Sequence, residues 1–429
     1  MTGGADQAKF YSLTDTNTHC WQEEIPQPTA ASGMHRFTWH STGQELLNAK
    51  LQAIADARVS ICLEMFTFSE SDIGQRFREA LTTAARRGVR VRLLVDSVGS
   101  FGLRRDYFAS LMSAGGEMRW FNKLRLASFS FRDHRKLLVV DDELAVVGGC
   151  NIAQEYFGDG ITAGWRDGGI SVSGPVAVPL GAEFGRQWER ALERRWTFLY
   201  GGSRHAVDPG SGGDIEALFI KPGFGRNPLR EALRRDLATA TEVAFTTAYF
   251  LPTRSIRRQL AHAVARGARV RLLLAGKSDV RMMQLATRSL YRRLLRAGIG
   301  IWEYQPQVLH AKFIIIDDVV YVGSSNLDPR SLRINFEIML RIKDAALVAA
   351  ARQQFEADLA RHSTPITSDA LRAGHSWWLR LRQRLAYWLF ARLDPELAAL
   401  KLHRWHGRKN RLLRRIKRPR GAARSLTGQ

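Results

Sequence analysis

The chain has 429 residues, enough for two ordinary domains or for one large domain built from a duplicated unit. Its apolar fraction of 45% is that of a globular protein with a full core, while three cysteines (Cys20, Cys62, Cys150) without paired spacing argue against a disulfide framework and against zinc, and suit a reducing cytosol. A net charge of +23 makes the favoured partner anionic: nucleic acid, or the phosphate face of a membrane.

Residues 1–36 read as a polar N-terminal arm. They lack a basic start followed by an apolar run, so no signal peptide is expected. A first half spans residues 37–200. Within it, 59–68 (VSICLEMFTF) reads as an apolar strand, and 84–95 (AARRGVRVRLLV) as a helix end capped by Gly88 that runs into a buried strand. The stretch 134–141 spells HRKLLVVD. A turn, GGCN, follows at 148–151, and WRDGGI then carries Asp167. Residues 201–213 (GGSRHAVDPGSGG) read as a flexible linker.

A second half, residues 214–361, repeats this order. It has an apolar strand at 243–251, a helix end and strand at 264–274 around Gly267, HAKFIIID at 310–317, GSSN at 323–326, and Glu337 in RINFEI. Residues 362–400 form an amphipathic C-terminal helical segment. At helical spacing Trp377, Leu381, Leu385 and Trp388 share a face, with Trp378 and Leu389 beside them and Arg380, Gln383 and Arg384 opposite. That pattern suits an interfacial helix, or equally a docked helix whose tryptophan face is core. Residues 401–429 are a basic tail attracted to phosphates. No window approaches the ~20 apolar residues that would span a bilayer.

Strands alternating with helices argue for an α/β fold, with one sheet per half and helices outside. Both motifs spell His-x-Lys-x-x-x-x-Asp. In a strand, residues i and i+2 share a face, so His134 points with Lys136 and His310 with Lys312. Such pairs on core strands are costly unless used. If the halves pack about a pseudo-twofold axis, all four side chains meet in one cleft. Only 11 of the 64 cationic residues are lysines, yet lysine occupies both motif positions. Attack on phosphorus needs a nucleophile and a second imidazole to protonate the leaving oxygen, and two such motifs can supply both. The Gly turns let backbone approach a ligand, and the amides of Asn151 and Asn326 and the hydroxyl of Ser324 can donate to phosphate oxygens. A proton-transferring histidine needs one ring nitrogen held, usually by a carboxylate. Asp167 and Glu337, each expected on a short strand after its Asn turn, are the candidates.

These residues resemble the phospholipase D superfamily, whose signature covers residues 37–361. GSSNLDPRSLRINFE (323–337) is similar to the bacterial cardiolipin synthases, a narrower match, as are GGCN, WRD and ICLEMFTFSESDIG (61–74). The missing transmembrane helices and the WW-containing C-terminal segment resemble their second, soluble type. The resemblance implies a duplicated phospholipase D fold, two α/β/α sandwich halves related by a pseudo-twofold axis with the active site between them. It implies transfer of a phosphatidyl group from phosphatidylglycerol to a second lipid or alcohol, with His134 as nucleophile and His310 as acid and then base. Lys136, Lys312, Asn151, Asn326 and Ser324 would hold the phosphate oxygens, and Asp141 and Asp317, though part of the motif, would fix the local framework. No metal or other cofactor is expected, nor nucleic acid as partner. A monomer suffices, because one chain supplies both motifs, and the expected location is peripheral, on the cytoplasmic face of the bacterial inner membrane. One departure stands out: Gly323 lies one position closer to Asp317 than Gly148 lies to Asp141, so the second hairpin is tighter than the family pattern. A phospholipase D hydrolysing phospholipid is the principal alternative. A nuclease of the superfamily and a catalytically dead membrane scaffold are further ones.

Overall fold

The computed structural model describes residues 30–32, 35–122, 130–192, 206–207, 214–223, 226–373 and 376–393. The strands of the first half are β1 (Ala30–Ser32), β2 (His35–His40), β3 (Ser60–Met65), β4 (Arg90–Asp96), β5 (Glu117–Phe121), β6 (Lys136–Val140), β7 (Leu144–Gly148) and β8 (Gly169–Ser173). Its helices are α1 (Gly43–Asp56), α2 (Asp72–Arg86), α3 (Ala109–Ser113) and α4 (Ala177–Arg190). The second half has β9 (Ala206–Val207), β10 (Ile215–Ile220), β11 (Glu242–Thr247), β12 (Arg269–Ala275), β13 (Gly300–Tyr304), β14 (Phe313–Ile316), β15 (Val319–Gly323), β16 (Glu337–Ile342) and β17 (Ser363–Pro365). Its helices are α5 (Pro228–Asp236), α6 (Arg254–Ala265), α7 (Arg281–Arg288), α8 (Tyr291–Arg296), α9 (Pro329–Arg333) and α10 (Ala345–His362), followed by α11 (Ser368–Ala373) and α12 (Trp377–Trp388).

The two sheets run β1-β2-β8-β7-β6-β3-β4-β5 and β17-β13-β12-β11-β14-β15-β16-β10-β9. Stripped of β1, β9 and β17, the two orders are the same seven strands, which is the duplication written in topology. β1 and β9 come from the segments read as arm and linker, and β17 from beyond residue 361. Most of the arm, most of the linker and the basic tail lie outside the described residues.

The repeated Gly positions are set by conformation. Gly88 and Gly267 have φ of +88° and +99° directly after α2 and α6, the left-handed turn that ends a helix, and a Cβ on either would meet nothing within 4 Å. The motif strands are buried on both faces because alternate side chains enter different cores. Leu137 and Val139 face a central cluster, whereas Leu138 and Val140 face an outer one under α1 and α2. In β14, Phe313 and Ile315 face the same central cluster, and Ile314 and Ile316 the second half's outer one.

That central cluster belongs to both halves. Val147 and Val172 share it with Val320 and Val322, and Trp39 of β2 packs edge-on against Phe313 at 5.3 Å. α4 and α10 also lie here: Phe184 and Trp188 of one, and Leu347 and Phe355 of the other, are buried between the sheets. The expectation that all helices lie outside is therefore corrected for these two.

No helix among the described residues is long and apolar enough to cross a membrane. α12 packs with the reverse of its sequence polarity. Gln383 and Ala386 are buried, whereas Trp377, Trp378, Leu381, Leu385 and Trp388 are exposed. Placing the tryptophan face in a core, and Gln383 on the open side, is thus corrected. The small Ala386 lets the helix approach closely, and Tyr387 and Phe390 complete the contact.

Candidate active site

Each motif histidine is delivered by an extended lead-in that leaves its own sheet and bonds to the opposite half. His134 N–H donates to Phe336 O (3.0 Å) and Phe336 N–H to Arg132 O (2.9 Å). In mirror fashion, Arg166 N–H donates to Val308 O, and His310 N–H to Arg166 O, both at 2.8 Å. Hence β6 starts at Lys136 and β14 at Phe313, and the histidines precede the strands rather than lie on them. The residues they bond to, Phe336 and Arg166, stand immediately before Glu337 and Asp167.

This crossing sets the pairing. His134 Nδ1 lies 2.9 and 3.0 Å from Oε1 and Oε2 of Glu337. His310 Nδ1 lies 2.6 Å from Oδ2 of Asp167. Ionised carboxylates only accept, so Nδ1–H is the donor in both pairs and each Nε2 carries a lone pair. Glu337 opens β16, but Asp167 falls two residues before β8, not on it. The Arg166 bridge to the other half holds that stretch off the sheet.

Lys136 Nζ donates to the carbonyl of His134 at 2.8 Å and sits 5.2 Å over the Phe66 ring. Lys312 Nζ donates to the carbonyl of His310 and stands 2.8 Å from its Nδ1. That nitrogen's proton goes to Asp167, so the approach of Lys312 acts as electrostatic pressure on the ring. The four groups form one cluster, because the charge of Lys312 is felt at His134 and at Lys136.

Burial dominates the titration. It pushes the His134 pKa down, against the pull of Glu337, and takes His310 down to about 4, with Lys312 adding to the shift and Asp167 opposing it. Both imidazoles are neutral at pH 7. Burial also lowers Lys136 to about 7, opposed by Glu337 and helped by Lys312. A phosphate anion entering the cluster would favour every protonated form.

The halves are not equivalent. The His134 side chain is 13% exposed, and among the described residues its Nε2 has no hydrogen-bond partner. His310 is more deeply buried, with Nε2 3.5 Å from the hydroxyl of Tyr156. Tyr156 and Trp165 both pack against the His310 ring.

Two sequence expectations change. Ser324, read as a phosphate donor, is fully buried and gives its hydroxyl to Glu337 Oε2 at 2.5 Å while accepting from Ile338 N–H. Asn151 is likewise occupied: Oδ1 accepts from Thr67 N–H and Nδ2 donates to Tyr156 Oη. Asn326 is buried, and among the described residues its Oδ1 has no hydrogen-bond partner. Gly149, the counterpart of Ser324, makes room for a protein carboxylate, since a Cβ there would lie 2.2 Å from Asp167 Oδ1.

Asp141 and Asp317 share the motif but not the cluster. Each sits at the far hairpin with positive φ, about 16 Å along the strand from the lysine in the first half. Asp141 accepts from the N–H groups of Arg58, Val59 and Ser60, and Asp317 from those of Thr241 and Glu242. Neither touches the histidine–lysine cluster, and each ties its hairpin to the start of the neighbouring strand. The tighter second hairpin is a two-residue turn between β14 and β15.

Sequence reasoning missed Tyr156 and Lys50. Lys50 is fully buried, among the described residues its Nζ has no hydrogen-bond partner, and the charge of Asp167 is felt there. One signal was available: a rare lysine on the apolar face of α1, among Leu46, Leu47 and Ile54. Nothing in the sequence marked Tyr156. Among the described residues no group of three or more His, Cys, Asp and Glu side chains could hold a metal ion.

Two repeated halves that lend one buried cluster a histidine, a lysine and each other's carboxylate define a member of the phospholipase D superfamily. The chain belongs to the family described as "Cardiolipin synthase, PLD-like domain", which matches residues 51–162 and 233–359. It is 33% identical to cardiolipin synthase A of Pseudomonas fluorescens over 74% of this chain and 67% of that protein. It is 30% identical to cardiolipin synthase B of Salmonella typhi over 85% of this chain and 90% of that one. Among solved structures, phosphatidylserine synthase of Haemophilus influenzae Rd KW20 shares the fold with a TM-score of 0.64 at 15% identity, covering 84% of this chain and 94% of that chain. Polyphosphate kinase of Porphyromonas gingivalis is similar in fold over 77% of this chain and 47% of that chain, with a TM-score of 0.51 at 13% identity.

Proposed function

We propose that this chain is a cardiolipin synthase that moves a phosphatidyl group from one phosphatidylglycerol to the hydroxyl of another, releasing glycerol. The observation that carries the reading is the crossed pair of histidine–carboxylate contacts, His134–Glu337 and His310–Asp167. The relatives named as cardiolipin synthases support the choice of substrate.

His134 Nε2, unpartnered and at the more open position, attacks phosphorus while Glu337 stabilises the charge that appears on the ring. In the substrate complex the bound phosphate anion favours the doubly protonated His310 ring, whose Nε2–H goes to the departing glycerol oxygen; the neutral ring then takes the proton of the incoming hydroxyl. Lys136 and Lys312, with the Asn326 amide, supply the positive field around the phosphate oxygens. Tyr156 holds the His310 ring between steps. The bond broken resembles the bond made, so lipid and glycerol concentrations set the direction. The catalytic unit comprises residues 37–361, acts as a monomer, and works peripherally on the cytoplasmic face of the inner membrane.

The test is product analysis of purified protein on phosphatidylglycerol vesicles. Cardiolipin and glycerol are expected. Phosphatidic acid as the main product would replace transfer by hydrolysis.

A further inference from the structure

We infer that the exposed tryptophan–leucine face of α12 is a docking surface for an anionic lipid bilayer, set on the α7 side of the catalytic cluster; this rests on the lipid-transfer reading above. The helix is held to the protein by its poorer side. Gln383 and Ala386 are buried, and Tyr387 Oη accepts from Arg257 at 3.1 Å. Trp377, Trp378, Leu381, Leu385 and Trp388 remain 49–59% exposed, with the first two rings stacked at 3.8 Å. A helix serving only the fold would turn these five side chains inward.

The charge around them selects the occupant. Arg380, Arg382 and Arg384 are exposed on the same helix, and the sequence from Ser376 to Leu393 contains no acid. Tryptophans at headgroup depth with arginines on lipid phosphates match an anionic interface. A second copy would set arginine against arginine. The tail from residue 401 to 424 is also basic and free of acids, so it repels this face as well.

Position links the surface to the chemistry. α12 packs along α7, where Met282 is a further exposed apolar side chain, 41% open. α7 begins two residues after Asp279, which accepts from Tyr249 Oη at 2.6 Å and whose charge reaches His310 and Lys312. A bilayer under α12 therefore lies on the α7 side of the catalytic cluster.

The experiment compares the full chain with Leu381→Glu/Leu385→Glu, two exposed positions remote from the cluster, and with the milder Leu381→Gln/Leu385→Gln. Flotation is measured with vesicles of phosphatidylcholine containing phosphatidylglycerol, and turnover is measured on those vesicles and on monomeric short-chain phosphatidylglycerol. Expected is a loss of vesicle binding of about tenfold or more for the Glu pair, less for the Gln pair, with vesicle turnover falling in step and short-chain turnover unchanged. Unchanged flotation overturns the inference. So does a dimer of the parent chain that the Glu pair dissolves, which would assign the face to self-association. If the parent turns over neither substrate, the lipid-transfer reading fails, and flotation still decides the docking surface.

Discussion

His134 and Glu337 lie in opposite halves of the chain, yet Nδ1 of one is 2.9 Å from Oε1 of the other. The arrangement is reciprocal, because His310 takes Asp167 from the first half at 2.6 Å. Neither half alone contains a histidine with its carboxylate. The duplication is thus obligatory for the site, and the central core shared by both sheets is what fixes it.

The crossing makes the two carboxylates separable. With a phosphodiester carrying a p-nitrophenyl leaving group, the first step needs no acid. Glu337→Gln should then abolish the burst of p-nitrophenol, since an amide can donate to Nδ1 and shift the proton to the attacking Nε2. Asp167→Asn should keep the burst and slow later turnover, by about 10²–10⁴-fold. Stopped-flow absorbance distinguishes them, and equal loss of burst in both would refute the assignment.

Lys136 sets an alkaline limit. Burial holds it at about 7, so above that pH it loses the charge that faces the phosphate. Expected is a kcat/KM that declines as pH rises through 7, with the decline moved to higher pH in kcat, because the bound anion favours the ammonium. Lys136→Met should be much slower and lack this limb. A parent profile flat to pH 9 would contradict the role.

Gly149→Ala should behave as a lesion of Asp167. Its Cβ would lie 2.2 Å from Oδ1, and the carboxylate must move away from His310. Turnover should fall as in Asp167→Asn while Tm stays near that of the parent. Full activity would show that the carboxylate can shift harmlessly.

Asp141→Ala should affect stability and not chemistry. Burial nudges this carboxyl upward, but the N–H groups of Ser60, Arg58 and Val59 outweigh it and hold the pKa below its usual value. Losing these partly exposed bonds should cost about 1–2 kcal/mol. Thermal unfolding should report a lower Tm, with kcat of the folded protein retained.

Much of this was legible in the sequence because it is local. The Gly88 and Gly267 helix ends and the doubly buried motif strands follow from spacing alone, whereas each histidine sits ahead of its strand and meets its lysine there. The exchange of carboxylates was not legible, since it depends on lead-ins that bond to Phe336 and Arg166 across the halves. Ser324 and Asn151 were read as ligand donors because nothing in one sequence shows that Glu337 and Tyr156 already occupy them. The inverted packing of α12 was hidden too: periodicity gives a helix its faces but not which of them the protein covers.

The most direct test of the shared site is to trap the covalent intermediate. His310→Ala is mixed with the p-nitrophenyl phosphodiester of a short-chain diacylglycerol, quenched in base and analysed by peptide mass spectrometry. The account requires a phosphatidyl adduct on His134, lost when Glu337→Gln is added. An adduct elsewhere, or none despite p-nitrophenol release, would contradict it.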